Sequence, residues 1–265
     1  MLNCFGEFLR SDIRADEITV QMLEQFVIYR RQSRSANRVG AKEERFVAPK
    51  TIRNEVFVLV DLFHWAKASD YVAHDPTDKL KKPRRVVYDA PRCLSVDEYL
   101  NLKASIADPA FSDIVDFYLL TGIRRGDGKN VTSGNFDFER MSVRLPQHKQ
   151  ATWKTIPIGR DLFAVAKRMI DRVGPGGPLV DLHVDRLTTD FAEARDRAGL
   201  PKSITFHSLR HTFASWLVAI GADIKTVQEL VGHSSMESTQ LYIHTFNSAK
   251  VSAIDKLILP RAKSA

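Results

Sequence analysis

Apolar positions recur along most of the chain with a helical period. Phe5, Phe8 and Leu9 mark a short first helix, and Val20, Leu23, Phe26 and Val27 a second. After Pro49, the stripe Ile52, Val56, Leu59, Val60, Phe63 and Ala66 predicts a long amphipathic helix that ends in the turn region Asp70–Pro76. Trp65 lies beside that stripe and reads as core packing rather than as a stacking platform, because large aromatic side chains are usually used that way. Ser95 and Glu98 have the spacing of a capping box for the next helix. Ile114, Val115, Tyr118 and Leu119 then give a stripe that stops at Thr121-Gly122. The period changes between Phe136 and Ile158: Met141, Val143 and Leu145 alternate, a polar turn follows, and Thr155, Ile156 and Ile158 come after it, which predicts a β-hairpin with lysines near its tip. Two scaffold helices are expected next. One carries Leu162, Val165, Met169, Ile170 and Val173, and the other Leu187, Phe191, Ala194 and Ala198, ending at Gly199.

The last quarter of the chain holds the densest chemistry. On a projection at about 100° per residue, His207, Arg210 and His211 share one narrow stripe, while Leu209, Phe213, Trp216, Leu217 and Ile220 form another. This predicts a helix that buries the apolar stripe and offers the basic one. Gly221 can end it, Asp223 can cap the next, and Ile224, Val227, Leu230 and Val231 keep helical spacing until Gly232. His233 follows at once, and a short helical pattern opened by Ser234 or Ser235 carries Tyr242. Beyond it, Val251, Ile254, Leu257 and Ile258 fall on one face of a helix that Asn247 can cap, a face able to pack on its own chain or on another.

Composition narrows the partners. Thirty-nine Lys and Arg against 32 Asp and Glu leave a formal net charge of +7. That balance, with a sequence pI of about 9.4, favours a polyanion. Basic residues concentrate in the polar stretch 30–45 and again between Asp75 and Arg92, where three prolines and six Lys or Arg interrupt any regular period. The second stretch reads as a linker. Both suit a solvated connection or contacts to phosphates. The expected organisation is a helical domain over residues 1–82, a basic linker over 83–92 and a second domain over 93–265. Cys4 and Cys93 make neither a disulfide framework nor a metal cluster and read as free thiols in a reducing compartment. No apolar run is long enough for a membrane span, and Glu7, Arg10 and Asp12 break any signal-peptide pattern, so a cytoplasmic protein is expected.

Several side chains invite a chemical reading. His207 and His211 at i and i+4, with His233, have the makings of a three-histidine metal site. The glutamate that follows the first histidine of metalloprotease helices is missing, and Arg210 would stand unfavourably beside a cation. Arg124 and Arg125 lie in TGIRRGDG, where a helix ends and glycines let backbone approach a ligand, so they are either solvated or phosphate-binding.

The motifs HSLRH at 207–211, VGH at 231–233, Tyr242 nine residues beyond the last histidine, and TGIRRGD together resemble the tyrosine recombinase (phage integrase) family. The resemblance implies that Tyr242 attacks a DNA phosphate to form a 3′-phosphotyrosine, that Arg124 and Arg210 hold the phosphate oxygens, and that His207 and His233 act as base and hydrogen-bond donor. Lys149, eight residues before Pro157, would protonate the departing 5′ oxygen, with Lys154 as the alternative. Asp127 and His211 would be supporting residues. Two positions depart from the family pattern: Asp127, where a Glu is common, and Gly128-Lys129, where an apolar helix start is common. The implied fold is mostly α with a small β-sheet, an N-terminal helical core-binding domain and an α+β catalytic domain that together form a C-shaped clamp on DNA. The implied partners are double-stranded DNA, further copies of the chain in a tetramer docked through helix 247–258, and accessory factors; no cofactor, metal or membrane is expected. A type IB topoisomerase-like enzyme and a DNA-binding protein without strand exchange are the rival readings.

Overall fold

The computed structural model describes residues 2–9, 12–35, 46–83, 91–147 and 152–232. The chain divides into two compact units, Met1–Tyr88 and Asp89–Ala265. Among the described residues no helix is long and apolar enough to cross a membrane.

Among the described residues, the first unit holds the helices α1 (Leu2–Leu9), α2 (Val20–Gln32) and α3 (Pro49–Ala68). The Thr19 hydroxyl caps α2 by accepting from Met22 N, and Pro49 opens α3, where its missing N–H costs nothing. The apolar stripes of all three helices meet in one core that includes Phe5, Leu23, Phe26, Ile52, Val56, Leu59 and Phe63. Within this interior Arg30 donates twice to the Glu55 carboxylate, both at 2.7 Å, tying α2 to α3. Trp65 departs from expectation. It is 57% exposed and stacks on Tyr71, itself exposed, at a ring separation of 5.3 Å. The reason is geometric: Trp65 falls one position off the stripe that buries Phe63 and Ala66.

The second unit opens with α4 (Val96–Ala104), whose capping box is formed in full by Ser95 and Glu98. Then come α5 (Pro109–Thr121), the four-residue α6 (Arg125–Gly128) and a three-stranded antiparallel sheet in the order β1-β2-β3. Its strands are β1 (Phe136–Asp137), β2 (Ser142–Gln147) and β3 (Thr152–Pro157). Val143, Leu145 and Ile156 turn inward, whereas Met141 stays outside the strand at φ 47° and is 40% exposed. Among the described residues four further helices follow: α7 (Arg160–Val173), α8 (Val184–Arg197), α9 (Ser208–Ala219) and α10 (Ile224–Val231). The core gathers apolar residues from α5, the sheet, α7, α8 and the start of α9, and Asp113 on α5 anchors Arg168 and Arg172 of α7.

Helix α9 buries a different face from the one its apolar pattern predicts. Ser208, Leu209, Arg210, Thr212, Ala214, Ser215 and Val218 are buried, Phe213, Trp216 and Leu217 are half-buried, and Ile220 is 80% exposed. Its inward polar groups are hydrogen-bonded, so their burial costs little: Thr212 Oγ1 donates to Ser208 O and accepts from Leu94 N, and Ser208 Oγ accepts from Thr205 N.

Candidate active site

Two helix ends frame the site. Helix α5 stops because Gly122 takes a left-handed conformation (φ 56°), and a Cβ there would fall 2.2 Å from the Phe213 ring, so only glycine fits. The chain then turns through Ile123 to Arg124, which caps α6. Helix α10 stops at Gly232 in the same way (φ 75°), with Gln147 of β2 packed where a Cβ would stand. The last carbonyls of a helix have no partner inside it and carry the negative end of its dipole. Here three cationic side chains take them up.

Arg210, in the first turn of α9 and only 4% exposed, donates from Nη1 to Gly122 O at 2.6 Å. Arg124 donates from Nη2 to Gly232 O at 3.1 Å while its side chain stays about a quarter exposed. Lys154, which pairs with Leu145 on the inward face of β3, donates from Nζ to Thr121 O at 3.0 Å and Leu230 O at 2.5 Å. Its contact with Val231 O, at 3.5 Å, is at the outer limit of a hydrogen bond. The carbonyls of Thr121 and Gly122 on one side, and of Leu230, Val231 and Gly232 on the other, thus hold three like charges in one partly buried cluster.

That crowding is legible in the proton affinities. Loss of solvation, with Arg210 and Arg124 nearby, pushes the Lys154 ammonium down to about 7. His207 precedes α9 with its residue surface open to solvent, yet its ring is sufficiently surrounded that desolvation, then Arg210, Arg124 and Arg125, lower its proton affinity. His211 meets His207 edge-on, ring centroids 4.6 Å apart, which restricts how the His207 ring can turn. Asp127 is buried, its Oδ2 lying 3.9 Å from Arg124 Nη1, a long ion pair consistent with the shorter reach of Asp relative to Glu. The departure at Gly128 also has a physical reason. The Tyr118 hydroxyl, which donates to Arg125 O at 2.8 Å, occupies the place of a Gly128 Cβ at 2.1 Å.

Of the residues singled out by sequence, the fold brings Arg124, Arg210, Asp127, His207 and His211 to this region. Lys149, His233, Tyr242 and helix 247–258 lie outside the described residues, as do the basic residues 36–45 and most of linker 83–92. Sequence reasoning gave Lys154 only as an alternative hairpin-tip lysine. Its signal was present in the strand period, since Lys154, Ile156 and Ile158 alternate onto one face, and all three are buried.

The arrangement suits an oxyanion. Two arginines fixed from behind by backbone carbonyls present planar, paired donors and spend little reorganisation in meeting a phosphate. It does not favour a metal at His207 and His211, because Arg210 and Arg124 already raise the local positive potential. A separate group in the first unit, His64, Asp75 and Asp78, brings potential ligand atoms within 4.8 Å of one another. Its carboxylates are already engaged by the protein: Lys67 donates to Asp78 at 3.4 Å, and Thr77 donates from N and Oγ1 to the buried Asp75, both at 2.7 Å.

Known proteins resemble this chain in sequence and in fold. The chain is 24% identical over 215 residues to a tyrosine recombinase of Thermosipho africanus, covering 78% of this chain and 76% of that one. Among solved structures, the Tn1549 transposon integrase in complex with transposon right end DNA superposes with a TM-score of 0.74 at 17% identity, over 96% of this chain and 91% of that one. A lambda integrase tetramer bound to a Holliday junction gives 0.69 at 18% identity, over 88% and 71%. These structural likenesses speak to the fold. The model of the phage integrase family matches residues 92–248, more than half of the sequence and all of its motif-bearing part, and the chain belongs to that family.

Proposed function

We propose that the protein is a site-specific DNA recombinase that cleaves and rejoins duplex DNA through a 3′-phosphotyrosine, without a metal. The observation that carries this reading is the convergence of Arg124 and Arg210, far apart in sequence, on the C-terminal ends of α5 and α10. In the forward step the Tyr242 phenol oxygen bonds to phosphorus as the bond to the 5′ oxygen breaks. His207 and His233 serve as base for the phenol proton and as hydrogen-bond donor, and Lys149 supplies the proton that leaves with the 5′ oxygen. Arg124 and Arg210 neutralise charge on the non-bridging oxygens. A free 5′ hydroxyl from a partner strand reverses the same step, so no external energy source is needed.

Residues 1–82 would bind the duplex as a core-binding domain and residues 93–265 would carry the catalysis, with linker 83–92 against phosphates; the net charge of +7 supports a polyanionic partner. Work on chromosomal or mobile DNA places such a protein in the cytoplasm, on the nucleoid. The reading extends to assembly as a tetramer, docked through the helix that the spacing of Val251, Ile254, Leu257 and Ile258 predicts over 247–258; the lambda integrase tetramer on a Holliday junction supports a tetramer by analogy of fold. Accessory factors would set direction. The test is strand exchange: two duplexes carrying the cleavage site should yield recombinant strands, and relaxation of supercoils without exchange would instead mark a type IB topoisomerase-like enzyme.

A further inference from the structure

We propose that Lys154 is a positioning residue for the cleavage step, a tie between the end of α5, which leads into Arg124, and the end of α10, which leads into His233. The assignment rests on the recombinase reading and adds a residue to it.

Lys154 reaches both helix ends from a third element. Its Nζ donates to Thr121 O at 3.0 Å and to Leu230 O at 2.5 Å, and the residue is only 7% exposed. Thr121 is the last residue of α5 and stands three positions before Arg124; Leu230 and Val231 close α10, just before Gly232, whose carbonyl accepts from Arg124. The lysine therefore sets the gap between the two carbonyl rows that Arg210 and Arg124 also use. An amine keeps two N–H donors when neutral and gains a third when charged, so the tie to Thr121 and Leu230 survives in either state. The groups that face it are Arg210 of α9, Arg124 of the preceding turn and Asp127 of α6. Its buried position, filled by backbone acceptors, leaves it suited to hold the site rather than to deliver a proton to a leaving group. A displacement of about 1 Å in a catalytic constellation costs roughly 10²-fold in rate, so loss of this tie should be visible in cleavage while duplex binding is spared.

The experiment uses the full chain and a duplex bearing its cleavage site, made either with the natural phosphodiester or with sulfur in place of the bridging 5′ oxygen. A sulfur leaving group needs no proton, so it restores a variant that lacks a proton donor and not one whose arginines are misplaced. Lys154→Met is expected to slow phosphotyrosine formation about 10²-fold on both substrates, with duplex affinity unchanged, and Lys154→Gln, which retains N–H donors, to recover part of the loss. Restoration of Lys154→Met by the sulfur substrate would overturn the assignment in favour of proton donation, and so would normal cleavage of the natural substrate. If Lys154→Met fails to fold, Lys154→Gln and Lys154→Arg are judged by the same two substrates. Absence of any Tyr242-dependent adduct in the parent chain would reject the recombinase reading itself, a result distinct from either outcome at Lys154.

Discussion

Arg210 shows how a charged side chain can be both buried and functional. Its guanidinium is desolvated against Gly122 O, so the charge is already oriented before any phosphate arrives. Lysine at this position would keep the charge but lose the planar fork. Arg210→Lys is therefore expected to reduce cleavage by about 10²- to 10³-fold, about 3 to 4 kcal/mol of transition-state stabilisation, while duplex affinity in a titration stays near the parent value. Near-normal cleavage would remove Arg210 from the clamp. His207 makes a complementary prediction in pH. Its ordinary pKa of 6.5 is lowered in the folded chain by desolvation and by Arg210, Arg124 and Arg125. Below that ordinary value the unfolded chain takes up a proton that the folded chain resists, so this residue's contribution to stability is complete above it and is lost as pH falls. Chemical denaturation between pH 7.5 and 5.5 should thus show a smaller acid-side loss for His207→Gln than for the parent; equal losses would mean that the ring is not held neutral.

At the scale of elements, the family motif and the local fold constrain each other. Gly128, the last residue of α6, is matched by Tyr118, whose hydroxyl fills the space of a side chain there and donates to Arg125 O. Gly128→Ala should destabilise by about 1 to 3 kcal/mol through overpacking, and most of that penalty should vanish in a Tyr118→Leu background. Additive losses in thermal melts of the double-mutant cycle would show that the two positions do not share this space. The helices were legible because their stripes are long and their stops are glycines: α3, α5 and α10 end or begin where Pro49, Gly122, Asp223 and Gly232 require. Helix α9 was not, because it buries Ser208, Thr212 and Ser215 with hydrogen-bond partners in its own first turns and in the distant Cys93–Leu94 segment, and an apolar projection gives such positions no weight. Trp65 misled for the opposite reason: an aromatic beside an apolar stripe looks like core, and one step of helix turns it to solvent. Lys154 was the subtler case, since lysine is rarely buried and the acceptors that permit it come from helices distant in sequence.

At the scale of the molecule, the site draws on segments scattered from Thr121 to Gly232, and the sequence motifs name its residues without revealing what holds them. That is a backbone scaffold: two helix C-termini whose carbonyls seat Arg124, Lys154 and Arg210. Under the proposed function this scaffold serves a covalent attack by Tyr242 on DNA. The most direct measurement exposes the protein to nicked fragments of the genome from which it comes, collects SDS-resistant protein–DNA adducts, and sequences the trapped DNA, with Tyr242→Phe as control. Adducts at one recurrent sequence with the parent, absent with Tyr242→Phe, are the predicted result. Adducts that persist in Tyr242→Phe, or salt-sensitive DNA binding with no adduct on any fragment, would contradict the account.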